Sequence, residues 1–219
     1  MELVQAGRVK VMGVVRRDPE WRTNWQRDHI EVDGKPIRSS ERIYLMLNKP
    51  RGLVTTAADE KGRPTVFECF AGRDLPFITP VGRLDQASEG LLLFTNDTAW
   101  AAGITAPENH IEKTYHVQVD CLADSDLIHK LQTGVKVEGD FLVAKRVTLL
   151  RQGEKNSWLE IVLDEGKNRH IRRLLAALET NVLRLVRVAI GPLQLGTLPK
   201  GEFRLLLAEE AKRIAPIGR

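Results

Sequence analysis

Short apolar segments with the character of β-strands recur along most of this chain, and they constrain its fold more than any other feature. Strands are predicted at residues 43–47, 53–56, 77–81, 90–95, 113–119, 135–138, 141–150, 157–163 and 182–190. Helices are predicted at residues 97–104, 124–132, 168–178 and 207–213. Because these helices interrupt the strands without regular alternation, the pattern favours an α+β fold over a parallel α/β sheet.

Residues 1–38 are predicted to form a small separate unit before this strand-rich region. Residues 2–6 are typical of the end of a helix, and Gly7 is a natural helix stop. Residues 8–11 and 29–32 alternate like short strands, and the Asp-Gly pair at 33–34 indicates a hairpin turn. The sequence therefore predicts two domains, residues 1–38 and 39–219.

The composition is that of a soluble protein of the cytoplasm. Of the 219 residues, 42% are hydrophobic, enough to fill a core, and 28% are charged. The longest apolar runs are too short to cross a bilayer, and residues 1–10 do not resemble a signal peptide. The two cysteines, Cys69 and Cys121, match no metal-ligand spacing and indicate reduced thiols. We therefore expect a cytoplasmic protein that does not associate with a membrane.

Basic residues are concentrated in one part of the chain. The net charge is only +4, yet residues 167–187 contain six lysines or arginines and a single acid, Glu179. Such a local excess is a plausible binding surface for nucleic-acid phosphates. A solvated helix face has the same composition, so charge alone leaves both interpretations open.

A polar loop at residues 82–90 lies between two predicted strands and has a glycine at each end. Asp85 lies within it, and active-site acids are often presented on loops at strand ends. A hairpin with a solvated acid has the same pattern. The loop alone therefore makes Asp85 a candidate without deciding its role.

Four segments, in order along the chain, match one known family. They are Leu-Asn-Lys-Pro-Arg-Gly at 47–52, Gly-Arg-Leu-Asp at 82–85 with Ser-Glu-Gly-Leu-Leu-Leu-Phe-Thr-Asn-Asp at 88–97, Glu-Lys-Thr-Tyr-His-Val at 112–117 and Asp-Glu-Gly-Lys-Asn-Arg-His-Ile-Arg-Arg at 164–173. Together they resemble the bacterial ribosomal RNA pseudouridine synthases, the small-subunit synthase A family with its large-subunit relatives. The resemblance covers residues 43–190 and implies a mixed, largely antiparallel central sheet.

The resemblance implies three catalytic residues. Asp85 would be the essential carboxylate, which acts as nucleophile or as base while the N-glycosidic bond of a flipped-out uridine breaks. Tyr115 would stack on the extruded uracil. Arg172 would pair with Asp85 and keep it ionised. Arg169 or Arg173 could take this place, because the register of the basic segment is uncertain by a residue.

Further residues are expected to bind the substrate or the RNA. Leu163 would form part of the apolar wall of the pocket, and Arg83 would hold the extruded nucleotide or fill the space it leaves. Contacts to the RNA backbone are expected from Lys49, Arg51, Lys167, Arg169 and Arg173. His170 stands where the family usually has glutamine. The resemblance implies no cofactor, and the five histidines form no metal-ligand pattern.

Residues 3–13 resemble the later part of an S4 RNA-binding domain, whose usual leading helix has no counterpart here. We expect either a start further upstream or a shortened S4-like piece. The expected partners are ribosomal RNA or ribosomal subunit precursors, and the expected oligomeric state is a monomer. Two other functions stay open: a non-catalytic RNA-binding or ribosome-assembly factor, and a glycoside or nucleoside hydrolase. The hydrolase would need paired catalytic acids or a metal cluster, and neither is evident in the sequence.

Overall fold

The chain divides into two compact units, Met1–Glu41 and Arg42–Arg219, in the computed structural model of the protein. The structure describes residues 2–24, 27–36 and 41–215. The domain boundary predicted after residue 38 falls in residues 37–40, outside the described residues. No helix within the described ranges has the length and apolar character needed to span a membrane.

The first unit is a four-stranded antiparallel sheet preceded by one helical turn. Its elements are α1 (Glu2–Gln5), β1 (Val9–Val11), β2 (Val14–Arg16), β3 (Ile30–Val32) and β4 (Lys35–Pro36), with the strand order β2-β1-β3-β4. The predicted hairpin turn at Asp33 joins β3 to β4, and Arg8 Nε donates to Asp33 Oδ1 over 2.9 Å. The predicted helix end and strands are confirmed, whereas the resemblance of this unit to an S4 domain stays a prediction.

The second unit contains the remaining four α-helices and eleven strands of the described chain. The helices are α2 (Thr98–Thr105), α3 (Ser125–Thr133), α4 (His170–Ala176) and α5 (Ala208–Ile214). The strands are β5 (Tyr44–Lys49), β6 (Thr79–Val81), β7 (Glu89–Thr95), β8 (Lys113–Val119), β9 (Val135–Val137), β10 (Asp140–Leu142), β11 (Arg146–Gln152), β12 (Ser157–Leu163), β13 (Val182–Ile190), β14 (Leu193–Gln194) and β15 (Phe203–Leu205). Asp97 and Asp124 cap α2 and α3, since their carboxylates accept the backbone N–H groups of Trp100 and Leu127.

Nine of these strands form one sheet. Its main path has the order β11-β12-β8-β13-β7-β5-β15, with β14 paired to β13 and β6 paired to β7. Every pair is antiparallel except β7 with β13. The mixed, largely antiparallel sheet of an α+β fold is therefore confirmed.

The parallel pair β7–β13 joins the two halves of the sheet through two residue pairs, Glu89 with Val186 and Gly90 with Arg187. Gly90 has φ +100°, and a Cβ atom placed on it would lie 2.2 Å from the carbonyl oxygen of Arg187. Only glycine allows the strands to approach this closely without a backbone shift. Gly90 thus fixes the junction that follows the loop carrying Asp85.

Two of the predicted strands do not have the predicted bounds. The strand predicted at residues 141–150 is broken, because the chain leaves the small β9–β10 hairpin and then starts the edge strand β11. Between them, the backbone N–H of Val143 donates to His170 Nε2 over 3.2 Å, a tertiary contact that no local pattern encodes. The segment at 53–56 forms only a single bridge, from Val54 to Thr65.

The buried side chains form three clusters around the sheet. One lies between α3, α4 and the strands β8, β11 and β12, and a second lies between α2, α5 and the strands β5 and β7. The third covers the opposite face of β5 and β7 and includes Leu84, which precedes Asp85. Tyr115 packs against both the first and the third cluster. It therefore lies where the two halves of the sheet meet.

Candidate active site

A cavity of about 420 Å³ opens at this junction, and most of the predicted site residues line it. They are Arg83, Asp85, Tyr115, Leu163, Lys167, Arg169 and Arg172. Small-molecule sites in proteins usually enclose about 300–1,000 Å³. The structure thus brings the predicted carboxylate, ring and guanidinium groups to one cavity large enough for a nucleotide base.

The loop that carries Asp85 is fixed to the body of the unit by several hydrogen bonds. Thr55 Oγ1 donates to the carbonyl of Leu84 over 2.7 Å, and Gln86 Nε2 donates to the carbonyl of Gly52 over 3.0 Å. Within the loop, the N–H of Ser88 donates to the carbonyl of Asp85 over 2.9 Å. The backbone on both sides of Asp85 is therefore held, while its side chain is 34% exposed at the cavity.

Lys49 binds the backbone of the same loop from the interior of the unit. The prediction that Lys49 contacts the RNA backbone is wrong. Its side chain is fully buried, because β5 continues through this residue instead of ending before it. The ammonium Nζ donates to the carbonyls of Pro50, Asp85 and Ser88 at 3.1, 3.2 and 2.8 Å. Burial lowers the pKa of Lys49 to about 8. Lys49 is a positioning residue for the Asp85 loop.

The arginine that forms an ion pair with Asp85 is Arg169, at 3.6 Å from Nη1 to Oδ2, rather than Arg172. Arg169 has a left-handed backbone (φ +48°) immediately before α4 begins at His170. The α-helical spacing assumed for the whole segment therefore does not apply to its first residues. The predicted direct pairing of Arg172 with Asp85 is corrected, and the alternative partner Arg169 takes its place.

Arg172 nevertheless lies within electrostatic reach of Asp85. Its Nη2 donates to the carbonyl of Ala87, in the same loop, over 3.1 Å. Burial lowers the pKa of Arg172, the charges of Arg169 and Arg51 lower it further, and the carboxylate of Asp85 raises it. Arg172 is therefore a half-buried cation that fixes the far end of the Asp85 loop.

Tyr115 and Leu163 present their side chains to the cavity from neighbouring strands. In the antiparallel register, Tyr115 on β8 lies opposite Ile161 and Leu163 lies opposite Lys113. Residues two apart on a strand face the same side, so these side chains share one face of the sheet. Leu163 is 3% exposed and supplies apolar wall, whereas Tyr115 is only partly buried. A flat ring beside an apolar wall is suited to stacking on a base.

The remaining predicted cations divide into two groups. Arg51 and Arg83 are exposed, so they are available to phosphates. Lys167 also lines the cavity, but its Nζ donates to the carbonyl of Phe141 over 2.7 Å and lies 3.0 Å from the carboxylate of Glu165. Its contact with RNA therefore competes with contacts inside the protein.

Arg173 does not line the cavity, and its contacts inside the protein disfavour the predicted phosphate contact, which stays a prediction. Its Nη1 donates to Asp140 Oδ2 over 2.8 Å and its Nη2 to the carbonyl of Val137 over 3.2 Å. Glu138 lies 3.5 Å away, and only 20% of the arginine side chain is exposed. Arg173 attaches the β9–β10 hairpin to α4 and has its charge compensated there.

His170 is buried at the start of α4 and has a structural contact. Its Nε2 accepts the N–H of Val143, which requires the neutral ring to carry its proton on Nδ1. Burial lowers the pKa of His170, which favours this neutral form. Histidine in place of the expected glutamine thus supports the cavity wall rather than the chemistry.

Sequence reasoning missed two cations of the cavity, Arg187 and Lys113. Arg187 is 5% exposed, and burial together with the charge of Arg187 lowers the pKa of Lys113. One signal was available: Arg187 occupies an inward position of β13, between buried Leu185 and Ala189. A charged residue at an inward position of a strand indicates either a buried ion pair or a ligand contact.

Comparisons with known proteins agree on one family. Residues 43–177 match the family model described as RNA pseudouridylate synthase. The chain is 37% identical to an uncharacterized RNA pseudouridine synthase of Aquifex aeolicus, over 94% of this chain and 82% of the relative. It is 35% identical to the ribosomal large subunit pseudouridine synthase B of Bacillus subtilis, over 97% of this chain and 87% of the relative. A crystal structure of a pseudouridylate synthase superposes with a TM-score of 0.72 at 28% identity, covering 98% of this chain and 91% of that one.

Proposed function

The chain belongs to the RNA pseudouridylate synthase family, and from this premise we propose that it converts a uridine of ribosomal RNA to pseudouridine with Asp85 as the catalytic carboxylate. One observation carries the proposal. Asp85, Tyr115 and the guanidinium groups of Arg169 and Arg172 line the same cavity. A carboxylate, a stacking ring and compensating cations are the groups that this isomerisation requires.

The reaction rearranges one nucleotide without adding or removing atoms. The bond from N1 of the base to C1′ of the ribose breaks, and the base turns while it is still held. C5 then bonds to C1′ and loses its proton, while N1 takes up a proton. Asp85 serves as nucleophile or as base in the first half of this sequence. Arg169 Nη1 lies 3.6 Å from Asp85 Oδ2 and places a compensating positive charge beside the carboxylate.

The substrate uridine has to leave its stack to enter the cavity, which costs a few kcal/mol and least in an unpaired loop. Stacking on Tyr115 and phosphate contacts from Arg83 and Arg51 offset this cost. Both arginines are exposed, and Arg83 lies beside the cavity two residues before Asp85. The proposed substrate is therefore a uridine in a loop of ribosomal RNA, free or within a subunit precursor.

The test is to map pseudouridine in ribosomal RNA after incubation with the protein, by primer-extension stops that depend on carbodiimide. Both subunit RNAs serve as substrates, and the Bacillus subtilis relative makes the large-subunit RNA the first choice. We expect a new stop with wild type and with Asp74→Asn, an exposed acid outside the cavity, and none with Asp85→Asn. Binding without any stop would favour an RNA-binding or assembly factor, and release of free uracil would indicate a hydrolase.

A further inference from the structure

Arg187 is a buried cation without an assigned role in the proposed reaction. Its Nε donates to the carbonyl of Leu91 over 2.7 Å. Its Nη2 is out of contact with solvent and has no hydrogen-bond partner in the described part of the chain. The residue is 5% exposed and lines the cavity. Buried donors of this kind are rare and call for an acceptor, which a ligand in the cavity can supply.

The register of the sheet places Arg187 beside the stacking residue. Arg187 on β13 lies directly opposite Tyr115 on β8. Side chains directly opposite each other in an antiparallel pair lie on one face, with their Cβ atoms about 4.5–5.5 Å apart. A base stacked on the ring of Tyr115 would therefore lie next to the side chain of Arg187.

A second cation lies on the same face. Lys113 precedes Tyr115 by two residues, lines the cavity, and is close enough to Arg187 for the two charges to repel each other. Asp164 partly compensates Lys113. Of the acids that line the cavity, Glu165 pairs with Lys167 and Asp85 pairs with Arg169. The interior end of the cavity is therefore positive next to the position of the base.

We infer that Arg187, supported by Lys113, donates a hydrogen bond to a carbonyl oxygen of the extruded uracil and stabilises the negative charge that the base acquires when its bond to C1′ breaks. This inference rests on the proposed function. The electron pair of the N1–C1′ bond passes to the ring and spreads over N1 and the carbonyl oxygens O2 and O4. A pair of ring electrons forms the new bond when C5 attacks C1′. The C5–H bond then leaves its electron pair in the ring as the proton departs, and N1 takes up a proton. Donors fixed at the position of a developing charge are among the strongest contributions to catalysis.

A phosphate is the other acceptor that a buried arginine could bind, and the structure favours the base. A phosphate of the RNA belongs to a charged, hydrated backbone, and the exposed cations Arg51 and Arg83 are available to it at the surface. Arg187 is buried beside the ring of Tyr115, where a planar base fits and a chain of phosphates does not.

The first experiment compares Arg187→Met and Arg187→Lys with wild type, and uses Arg146→Met on the exposed edge of β11 as a matched control. We expect Arg187→Met to lower the single-turnover rate of pseudouridine formation by roughly 100-fold, with partial recovery in Arg187→Lys and no change in Arg146→Met. The Kd for the RNA and its dependence on salt should stay as in wild type. An unchanged rate would overturn the inference. A normal rate in Arg187→Met, together with a salt dependence of RNA binding that is weaker by about one phosphate contact, would also overturn the inference.

The second experiment changes the substrate, so that its first readout is on the wild-type protein. The target uridine is replaced by 2-thiouridine or by 4-thiouridine, since sulfur is a poorer hydrogen-bond acceptor than oxygen. One of the two replacements should slow wild type and have little further effect on Arg187→Met, because the contact is already lost. Equal slowing of both proteins by both replacements would contradict a contact to a carbonyl. Failure of wild type on unmodified RNA would instead refute the proposed function itself.

Discussion

Replacing Gly90 by alanine should break the fold at the junction that positions the active site. The added Cβ would lie 2.2 Å from the carbonyl oxygen of Arg187 and 2.8 Å from its amide nitrogen. Both atoms belong to the backbone of β13, so no side-chain rotation can relieve the contact. The strands must separate by about 1 Å at their only two paired positions within the described sheet.

The size of the effect follows from two contributions. A non-glycine residue at φ +100° costs about 1–3 kcal/mol in backbone strain, and forced separation of packed elements adds about 1–3 kcal/mol or more. The sum, about 2–6 kcal/mol, is a large part of the about 5–15 kcal/mol that stabilises a typical domain. Gly52 is the matched control, since it has φ +102° and a Cβ added to it would meet no atom within 4 Å. Gly52→Ala should therefore lose only the unfolding free energy that corresponds to backbone strain.

The assay is equilibrium unfolding in urea, followed by circular dichroism, for wild type, Gly52→Ala and Gly90→Ala. We expect Gly90→Ala to lose at least about 1–3 kcal/mol more unfolding free energy than Gly52→Ala. It should also lose pseudouridine formation, because Asp85 and Arg187 are held on opposite sides of this junction. Equal unfolding free energies for the two alanine variants would refute the role assigned to Gly90.

Three further predictions follow from the site. Lys49→Met should destabilise the protein by about 3 kcal/mol, because three carbonyls lose a charged donor. The pKa of Lys49 in the folded protein is about 8, below its ordinary value of 10.5. Between these two pH values the unfolded chain binds more protons, so the unfolding free energy of wild type should rise relative to that of Lys49→Met as pH increases. Urea titrations across this pH range measure the difference, and a decrease in relative stability would contradict the assignment. Arg173→Met should lower the unfolding free energy by about 1–3 kcal/mol and leave the salt dependence of RNA binding unchanged, whereas Arg83→Met should weaken that dependence by about one phosphate contact. Arg172→Met should reduce kcat more than Arg169→Met, because the half-buried Arg172 also fixes Ala87 and the exposed Arg169 is screened; the reverse order in single-turnover rates would contradict this.

Much of the fold and the centre of the site were predictable because they depend on local patterns. The strands at 113–119, 157–163 and 182–190 have the predicted bounds, since each combines apolar alternation with clear turns at its ends. Asp85 and Tyr115 were found from the loop and strand segments that match the family. Their presence on one cavity confirms that these segments come together, while their roles in catalysis stay predictions.

The residues that sequence reasoning misplaced depend on tertiary contacts. A lysine after a strand suggests an exposed cation, but Lys49 has its charge compensated by three carbonyls, two of them distant in sequence. The choice between Arg169 and Arg172 depended on one left-handed residue before α4. Arg187 required knowledge of which strand lies opposite Tyr115, and strand pairing across more than sixty residues is not encoded locally.

Release of tritium from RNA that carries the label at C5 of uridine reports catalysis by Asp85, because forming the bond from C5 to C1′ expels that hydrogen. We expect wild type and Asp74→Asn to release at most one label per modified site, and Asp85→Asn to release none above background. Release by Asp85→Asn at the wild-type rate would contradict the assignment of Asp85 as the catalytic carboxylate.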